Sequence, residues 1–294
     1  MFLNSGMNYL PRTLFVALLA IGSLFFYLEL LGLMGIKTSP ATWAALAAVW
    51  LGICFSGYGW RGRLLLATCR VRRTALEEEA WMEPILRDLR LSSDLPITVE
   101  LLILEEPESQ AFALGHHTIV LSRGLIEALN KEEIQAVLAH EYGHLKDKDT
   151  QLATAYCLAG YPLRLLYRFF RGLIIAGRWR LSRWLLIALA AVMAFYSQGR
   201  VLLAVFGTFI VSFPLVQRGI EVLWCYFSRC CEFRQDAFAQ SLGYGMALKA
   251  ALLKIGGSGS DSVVSRYFEL GSTHPMLYRR VRRLEWLDGL RPTC

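Results

Sequence analysis

Two long apolar stretches near the start of the chain restrict the folds that are open to it. Residues 13–28 carry no charge, and beyond Glu29 the apolar character resumes through Ile36. Residues 41–60 are also uncharged, with tryptophan and tyrosine toward their ends. A helix of about 20 apolar residues spans a hydrocarbon core of about 30 Å, and aromatic residues concentrate at the two interfaces. The pattern therefore predicts a transmembrane hairpin over residues 1–60, in which Glu29 reaches the headgroups.

Composition and charge agree with a membrane protein. Hydrophobic residues make up 55% of the 294 residues, and the mean hydropathy of +0.39 is high for a soluble enzyme. The net charge of +7 does not predict a nucleic-acid partner, because the arginines cluster beside apolar runs, as membrane flanks do. Five arginines in residues 61–73, against Lys37 between the two stretches, place this flank and the N-terminus in the cytoplasm. Seven cysteines without a CxxC pair favour a reducing compartment.

A second apolar region extends over residues 151–217. Its first part, residues 151–183, carries three arginines that share one face of a helix, which predicts a helix on the cytoplasmic interface. These arginines are Arg164, Arg168 and Arg171. Two further apolar stretches, residues 184–199 and 201–217, predict a second transmembrane hairpin. Each stretch is slightly short for a span, so a buried hairpin that does not cross the membrane is the alternative.

A water-facing domain is predicted from two separate parts of the chain, residues 61–150 and 218–294. The sequence ITVELLIL at residues 97–104 is rich in apolar and β-branched residues, as a strand is. The sequences QAFALG (residues 110–115) and HTIVLS (residues 117–122) lie around Gly115 and His116 and predict a β-hairpin. Helical patterns follow it. The predicted fold is mainly α with a small β-sheet.

The pentapeptide HEYGH at residues 140–144 carries the clearest chemical signal. Asn130 and Glu133 occupy the positions of a capping box, and apolar residues follow at helical period, so the motif is predicted on a helix. Residues four apart lie on one face of a helix. His140 and His144 therefore direct two imidazole rings to a common point, as a zinc site requires.

Glu141 directly follows the first histidine. It lies one step round the helix, where it can reach a metal-bound water without itself binding the metal. In the expected reaction the metal polarises a scissile carbonyl, and Glu141 takes the proton of the attacking water and passes it to the leaving amine. The motif thus predicts peptide hydrolysis, and the alternative is two surface histidines on an amphipathic helix.

A zinc ion that also binds water needs a third protein ligand. Glu232 and Asp236 are four residues apart and share a helix face, so Glu232 could bind the metal while Asp236 accepts an N–H from a zinc-bound histidine. Two alternatives remain open on spacing alone. His274 could be the third ligand, or Glu232 and Asp236 could form an exposed acidic face that pairs with Arg234.

Four segments, in this order, resemble the HtpX-like membrane zinc peptidases, which are related to the CAAX prenyl proteases. The segments are QAFALG, TIVLSRGLIEALNKEEIQAVLAHEYGHLKDKD, SRCCEFRQDAFA and STHPMLYRRVRRLE. Two predicted spans precede the first segment, a hydrophobic hairpin separates the second from the third, and the chain length suits the four-span HtpX type. The resemblance implies a multi-pass membrane protein with a zincin-like (gluzincin) peptidase domain.

The resemblance also implies roles for the residues of the motifs. One Zn²⁺ per chain would be bound by His140, His144 and Glu232. Glu141 would be the base, and Asp236 would accept the hydrogen bond of a zinc-bound histidine. The resemblance therefore favours Glu232 over His274 as the third ligand.

Two further groups of residues receive roles from the same resemblance. His274 and Arg280 would be catalytic residues that face the substrate carbonyl or the developing oxyanion. An edge strand would bind an extended substrate through its backbone. The residues of this strand are Gln110, Ala111, Phe112 and Ala113. Gln110 stands where the family usually has asparagine. The difference in side chain leaves a role that is played by the backbone intact.

The function predicted from the sequence is that of a membrane-integrated zinc metalloendopeptidase, and the resemblance implies a bacterial inner membrane as its setting. By resemblance, it would cleave unfolded or membrane proteins on the cytoplasmic side, in membrane protein quality control. Its expected partners are polypeptide substrates and the lipid bilayer, and the sequence predicts no oligomeric state. One alternative is a membrane-anchored zinc-binding scaffold, although structural zinc sites usually have four protein ligands, often cysteines. A CAAX-type processing protease is a second alternative, with a different substrate.

Overall fold

The chain divides into two compact units. The first comprises Met1–Ser5, Tyr58–Ala153 and Val222–Cys294, and the second comprises Gly6–Gly57 and Thr154–Glu221. The computed structural model describes residues 5–33, 39–56, 71–91, 98–176, 197–256 and 275–289. The four-part division predicted from the sequence, with boundaries at residues 60, 150 and 217, stays a prediction.

Helices account for most of the described residues. They are α1 (Ser5–Leu33), α2 (Pro40–Ser56), α3 (Leu76–Leu91), α4 (Arg123–Ala128), α5 (Lys131–Lys146), α6 (Asp149–Ala176), α7 (Ser197–Ser241), α8 (Gly245–Ile255) and α9 (Leu277–Gly289). The described strands are β1 (Val71–Arg73), β2 (Glu100–Leu104), β3 (Ala111–Leu114) and β4 (Thr118–Ser122). The prediction of a mainly helical protein with a small sheet is confirmed.

The four described strands form one sheet in the first unit, in the order β1-β2-β4-β3. Strand β2 runs parallel to β4, and the other two pairs are antiparallel. The predicted hairpin is present, because β3 and β4 are joined through a turn at Gly115, whose φ of +64° favours glycine. Strand β3 lies at the end of this order, so it forms an edge of the sheet.

Both faces of this sheet are covered, and successive residues alternate between them. Ile103, Ile119 and Leu121 enter a core that also contains buried residues of α3 and α5. Leu102 and Val120 face the other side, where β1 and β3 contribute apolar side chains. Two covered faces explain why β2 and β4 are apolar almost throughout and show no alternation in sequence.

Helix α5 begins with the capping box that the sequence predicts. The Asn130 side chain accepts the Glu133 N–H at 2.9 Å, and the Glu133 carboxylate accepts the Asn130 N–H at 2.8 Å. Lys254 of α8 also donates to Glu133 at 2.7 Å. These contacts satisfy amides that would otherwise lack partners in the first turn. They thereby fix the residue at which the helix that carries the HEYGH motif begins.

The second unit contains α1, α2, most of α6 and the first part of α7. The Phe26 ring stacks on Phe209 with centroids 4.8 Å apart. The Tyr27 hydroxyl donates to the Pro162 carbonyl at 2.8 Å. Large apolar side chains such as Leu215, 77% exposed, point outward from these helices. Such surfaces are unusual for a soluble protein and suit contact with lipid.

One helix segment among the described residues, Leu10–Glu29 of α1, is long and apolar enough to cross a membrane by length and composition. Helix α2 is apolar but has 17 residues. The multi-pass arrangement therefore stays a prediction. Most of the stretch 184–199 lies outside the described residues, so the first half of the second hairpin does too.

Helix α7 continues past residue 217, where the composition changes and the predicted hairpin ends. The helix continues from Ser197 to Ser241, so residues 201–217 and Glu232 share one helix, with Pro214 inside it. The change from apolar to charged composition near residue 217 does not end the helix, because helical hydrogen bonds join only residues four apart. Composition alone is therefore a poor marker of this boundary.

Strand β1 is not among the predicted strands, because it lies in an arginine-rich run. Arg72 donates to Glu78 at 2.7 Å and to Glu105 at 2.5 Å. Its charge is therefore compensated within the first unit, and Arg72 helps to hold β1 beside β2. Residues 61–70 of the same run lie outside the described residues, and their role as a membrane flank stays a prediction.

Candidate metal centre

Helix α5 brings the two histidines of HEYGH together. His140 and His144 lie one turn apart, and their ring centroids are 5.0 Å apart with the planes at 82°. His140 is 5% exposed and the rest of this turn is also largely buried. The alternative of two surface histidines is therefore wrong. This buried turn of α5 contacts the part of α7 that belongs to the same unit.

Helix α7 supplies the carboxylate that completes the cluster. One oxygen of Glu232 lies 3.5 Å from His140 Nε2, and the other lies 3.5 Å from His144 Nε2. Ligand atoms of the three residues lie within 4.8 Å of one another. Glu232 and Asp236 are buried, so the alternative of an exposed acidic face is wrong. His274 lies outside the described residues.

The three side chains fit a divalent cation of the zinc type. Zinc prefers imidazole nitrogen and carboxylate oxygen, at distances of about 2.0–2.1 Å from nitrogen. Tetrahedral donors at such distances are separated from each other by about 3.4 Å. Each Glu232 oxygen lies 3.5 Å from one of the two Nε2 atoms, which is close to this value, and one ligand atom from each of the three residues lies within 4.8 Å of the others. Three protein ligands also leave a fourth position open for water or substrate, as in a catalytic site.

The first histidine is held by an aspartate and an arginine. His140 Nδ1 lies 3.0 Å from Asp236 Oδ1. Since a carboxylate only accepts, Nδ1 donates to Asp236, and Nε2 is the nitrogen that would bind a metal. Arg280 of α9 donates to both Asp236 oxygens, at 2.6 and 2.8 Å, and its Nη1 lies 3.0 Å from Glu232 Oε2. Asp236 thus lies within hydrogen-bond distance of His140, and its role toward a zinc-bound histidine stays a prediction.

The second histidine is held by residues that the sequence did not single out. His144 Nδ1 lies 3.0 Å from Asp149 Oδ2, in the first turn of α6. Arg234 and Gln235 of α7 donate to Asp149, at 2.9 and 3.0 Å. Arg234 therefore pairs with Asp149 instead of with the acidic residues on its own helix. The signal in sequence is slight: an aspartate five residues after His144, and two polar residues between Glu232 and Asp236.

The electrostatics of the centre follow from these contacts. Burial lowers the pKa of His140, but the carboxylates of Asp236 and Glu232 outweigh it, so the pKa is raised. The pKa of His144 rises to about 10, because Asp149 and Glu232 outweigh burial in the same way. Burial raises the pKa of Asp236, yet His140 and Arg280 bring it below its ordinary value. The site therefore favours positive charge between its carboxylates, as a cation site should.

The remaining candidate residues lie around this cluster. Glu141 is 8% exposed and interacts electrostatically with His144 and Arg280. Ala111, Phe112 and Ala113 form β3, which lies against α5. Gln110 precedes β3, and its carbonyl accepts the Ser122 N–H at 2.8 Å. The predicted base thus lies on the helix that carries the histidines, and the predicted edge strand lies against the same helix.

Sequence comparison finds relatives of this chain that carry one common name. A protein named Protease HtpX homolog from Thermoanaerobacter pseudethanolicus is 27% identical over 272 residues, which cover 83% of this chain and 86% of the relative. A protein of the same name from Tropheryma whipplei is 27% identical over 249 residues, 78% of this chain and 79% of the relative. The alignment with a third, from Aquifex aeolicus, is 32% identical over 110 residues and spans 36% of that relative's length.

A solved structure shares the fold. The crystal structure of S. mikatae Ste24p matches 96% of this chain and 66% of its own length, with a TM-score of 0.56 and 18% identity. The model of peptidase family M48 matches residues 76–288, which contain both histidines, Glu141, Glu232, Asp236 and Arg280. The chain belongs to peptidase family M48, as an HtpX-like metallopeptidase.

Proposed function

We propose that this protein is a zinc-dependent endopeptidase integrated in a membrane by several spans, which cleaves extended or unfolded segments of polypeptides on the cytoplasmic side. One observation carries the proposal. His140, His144 and Glu232, from two helices distant in sequence, converge in a buried centre beside Glu141. Membership of a metallopeptidase family supports the same conclusion.

One zinc ion per chain would be held by His140 and His144 through Nε2 and by a carboxylate oxygen of Glu232. A bound zinc ion supplies a Lewis acid for a substrate carbonyl and lowers the pKa of water at its open position. Asp236 and Asp149 keep the Nδ1 proton on each ring, so both Nε2 atoms remain available.

Glu141 is the proposed general base. It stands next to His140 on the helix, at the rim of the centre, and it is not one of the three residues that converge as ligands. Its carboxylate takes the proton of the attacking water and later gives it to the leaving amine nitrogen. The low exposure of Glu141 limits competition from bulk water for this proton.

The substrate is proposed to lie along β3 as an additional strand. Gln110 to Ala113 form an edge of the sheet, and β3 lies against the helix that carries the motif. Backbone pairing at an edge requires an extended segment and reads little sequence, which suits the cleavage of unfolded polypeptides.

Arg280 and His274 are proposed to stabilise the charge that develops on the scissile carbonyl. Arg280 supports this role because its guanidinium lies in the centre, 3.0 Å from Glu232. A fixed positive group beside a developing oxyanion lowers the barrier in a water-poor site. The role of His274 rests on the family resemblance.

The membrane setting is part of the same proposal. His140 and Glu232 belong to one compact unit, so the chain must cross the bilayer an even number of times between them. A second transmembrane hairpin within residues 151–217 meets this condition and leaves both termini in the cytoplasm. By resemblance, the setting is a bacterial inner membrane and the role is quality control of membrane proteins.

The test is cleavage by the full-length protein, purified in detergent with a chelator and then given zinc. Self-cleavage or casein cleavage should return on addition of zinc in the wild type and be absent in Glu141→Gln, which should still bind zinc. Cleavage that persists in Glu141→Gln would overturn the assignment. Bound zinc without cleavage in the wild type would instead support a scaffold, and a prenylated peptide as preferred substrate would support CAAX-type processing.

A further inference from the structure

His144, the second histidine of the centre, is the first of three side chains that are linked by hydrogen bonds. His144 Nδ1 lies 3.0 Å from Asp149 Oδ2, and Asp149 Oδ1 accepts from Arg234 Nη2 at 2.9 Å. The order of groups, histidine then aspartate then arginine, is the same as the one that holds the first histidine. Each oxygen of Asp149 therefore has a defined partner, and the arginine comes from the helix that also provides Glu232.

Further contacts fix this chain in place. Gln235 donates to Asp147 and to Asp149, at 3.0 Å each, and Arg234 Nε pairs with Asp147. Lys148, between the two aspartates, has a φ of +56°, a conformation that residues other than glycine adopt rarely. This turn separates α5 from α6, and Asp149 at the start of α6 lies 3.0 Å from His144 Nδ1. Such backbone strain persists only where surrounding contacts support it.

The arginine matters because of what a metal requires of the histidine. Nε2 binds a metal only if Nδ1 keeps the proton and the ring keeps its orientation, and a hydrogen-bonded carboxylate provides both. A carboxylate as buried as Asp149, 7% exposed, is costly to keep ionised without a cationic partner. Arg234 supplies that charge and engages Oδ1, which leaves Oδ2 directed at the ring.

We propose that Arg234 is a positioning residue of the metal centre, which acts through Asp149 to hold His144 in the orientation that binds zinc. The inference rests on the proposed function, since it takes the cluster as a zinc site. In this role Arg234 acts through Asp149, to which it donates at 2.9 Å. Its effect should therefore appear first in the affinity for the metal.

The experiment measures zinc affinity of the full-length protein in detergent, by competition with a chelator, together with the melting temperature of the metal-free form. Arg234→Gln should weaken zinc binding about tenfold or more, the range found when partners of metal-bound histidines are removed. Arg234→Lys should recover part of the affinity, because it restores the charge without the planar fork. The absorption spectrum of bound Co²⁺ should change in Arg234→Gln and return toward wild type in Arg234→Lys.

Asp149 provides an independent arm of the test. Asp149→Asn should weaken zinc binding by about 10–100-fold. Combining it with Arg234→Gln should add little, since both changes act on one chain of contacts. If the two losses multiply, Arg234 does not act through Asp149 and the inference is wrong.

Lys254→Gln is the matched control, because it breaks an ion pair with Glu133 on the same helix, α5, away from the cluster. It should lower the melting temperature and leave zinc affinity unchanged. An Arg234→Gln protein that behaves like this control, with zinc affinity within twofold of wild type, would overturn the inference alone. A wild-type protein without zinc binding would overturn the proposed function as well.

Discussion

Gly143, the residue before the second histidine, lies where the packing of the centre leaves no room for a Cβ atom. A Cβ at this position would lie 2.3 Å from Gln235 Oε1 and 3.1 Å from a ring carbon of Phe238. Both distances are below ordinary van der Waals contact. Gln235 is almost fully buried and holds Asp147 and Asp149, so it cannot move away without loosening them.

Gly143→Ala is therefore expected to weaken zinc binding and to lower the melting temperature, with a cost of about 1–3 kcal/mol as for other overpacked sites. Alanine otherwise favours a helix over glycine. Gly219→Ala is the control, because Gly219 is an exposed residue of α7 and a Cβ added there has no neighbouring atom within 4 Å. It should raise stability slightly, by about 0.5–1 kcal/mol. Wild-type zinc affinity in Gly143→Ala would refute the role given to this contact.

Sequence spacing predicts those site residues whose geometry is local. His140, Glu141 and His144 follow from helical periodicity alone. Glu232 was chosen over His274 only through the family resemblance, because spacing does not tell which distant carboxylate reaches the helix. Asp149 was missed because its contact with His144 depends on the left-handed conformation of Lys148. The sequence HLKDKD gives no indication of that conformation.

At the scale of elements, the start of α5 is coupled to α8 through a buried carboxylate. Burial raises the pKa of Glu133, but Lys254 and the Asn130 N–H outweigh it and bring the pKa below its ordinary value of 4.5. The unfolded chain therefore binds this proton at higher pH than the folded chain does. The stabilisation is fully present above pH 4.5 and is lost as the pH falls through the folded-state pKa.

Glu133→Gln should lower stability by about 0.5–1 kcal/mol at neutral pH, since glutamine keeps the capping box but loses the ion pair with half-exposed Lys254. The melting temperatures of wild type and variant, measured from pH 7 downward, should converge below pH 4.5. A difference that stays constant over this range would show that the ionised carboxylate contributes nothing.

Strand β3 is the element on which substrate binding depends. Gln110 pairs with Ser122, and Phe112 stands opposite Val120 in the ladder. Backbone groups alternate in direction along an antiparallel strand, so those of Ala111 and Ala113 point away from β4. The hairpin was predictable from its own sequence pattern. The edge position was expected only from the family resemblance, because local pattern does not reveal that β2 pairs with β4 and leaves β3 at the end of the order.

Ala113→Pro removes an N–H that points outward, so it should weaken substrate binding while the ladder with β4 remains. The expected result is a several-fold higher KM with zinc affinity unchanged. Phe112→Pro is the comparison, because it removes an N–H that points toward β4 and should instead destabilise the sheet. Unchanged kinetics in Ala113→Pro would argue against substrate addition at this edge.

At the scale of the whole molecule, the chain combines a unit with apolar helices and a unit with a buried group of residues that could bind a metal. The apolar runs predicted the helices of the former, although Leu10–Glu29 is the one described segment that meets the length and hydropathy of a span. The continuity of α7 was not predictable, since the environment of a helix can change along its length without any break in its backbone. The central claim remains that two distant helices, α5 and α7, bind one zinc ion in common.

The zinc content of the full-length protein after removal of loosely bound metal tests this claim most directly. Wild type and Glu141→Gln should each retain about one zinc ion per chain, because Glu141 is not a ligand. Glu232→Gln, which changes only the ligand from α7, should retain far less. Full zinc content in Glu232→Gln, at wild-type affinity, would contradict the claim that α7 completes the site.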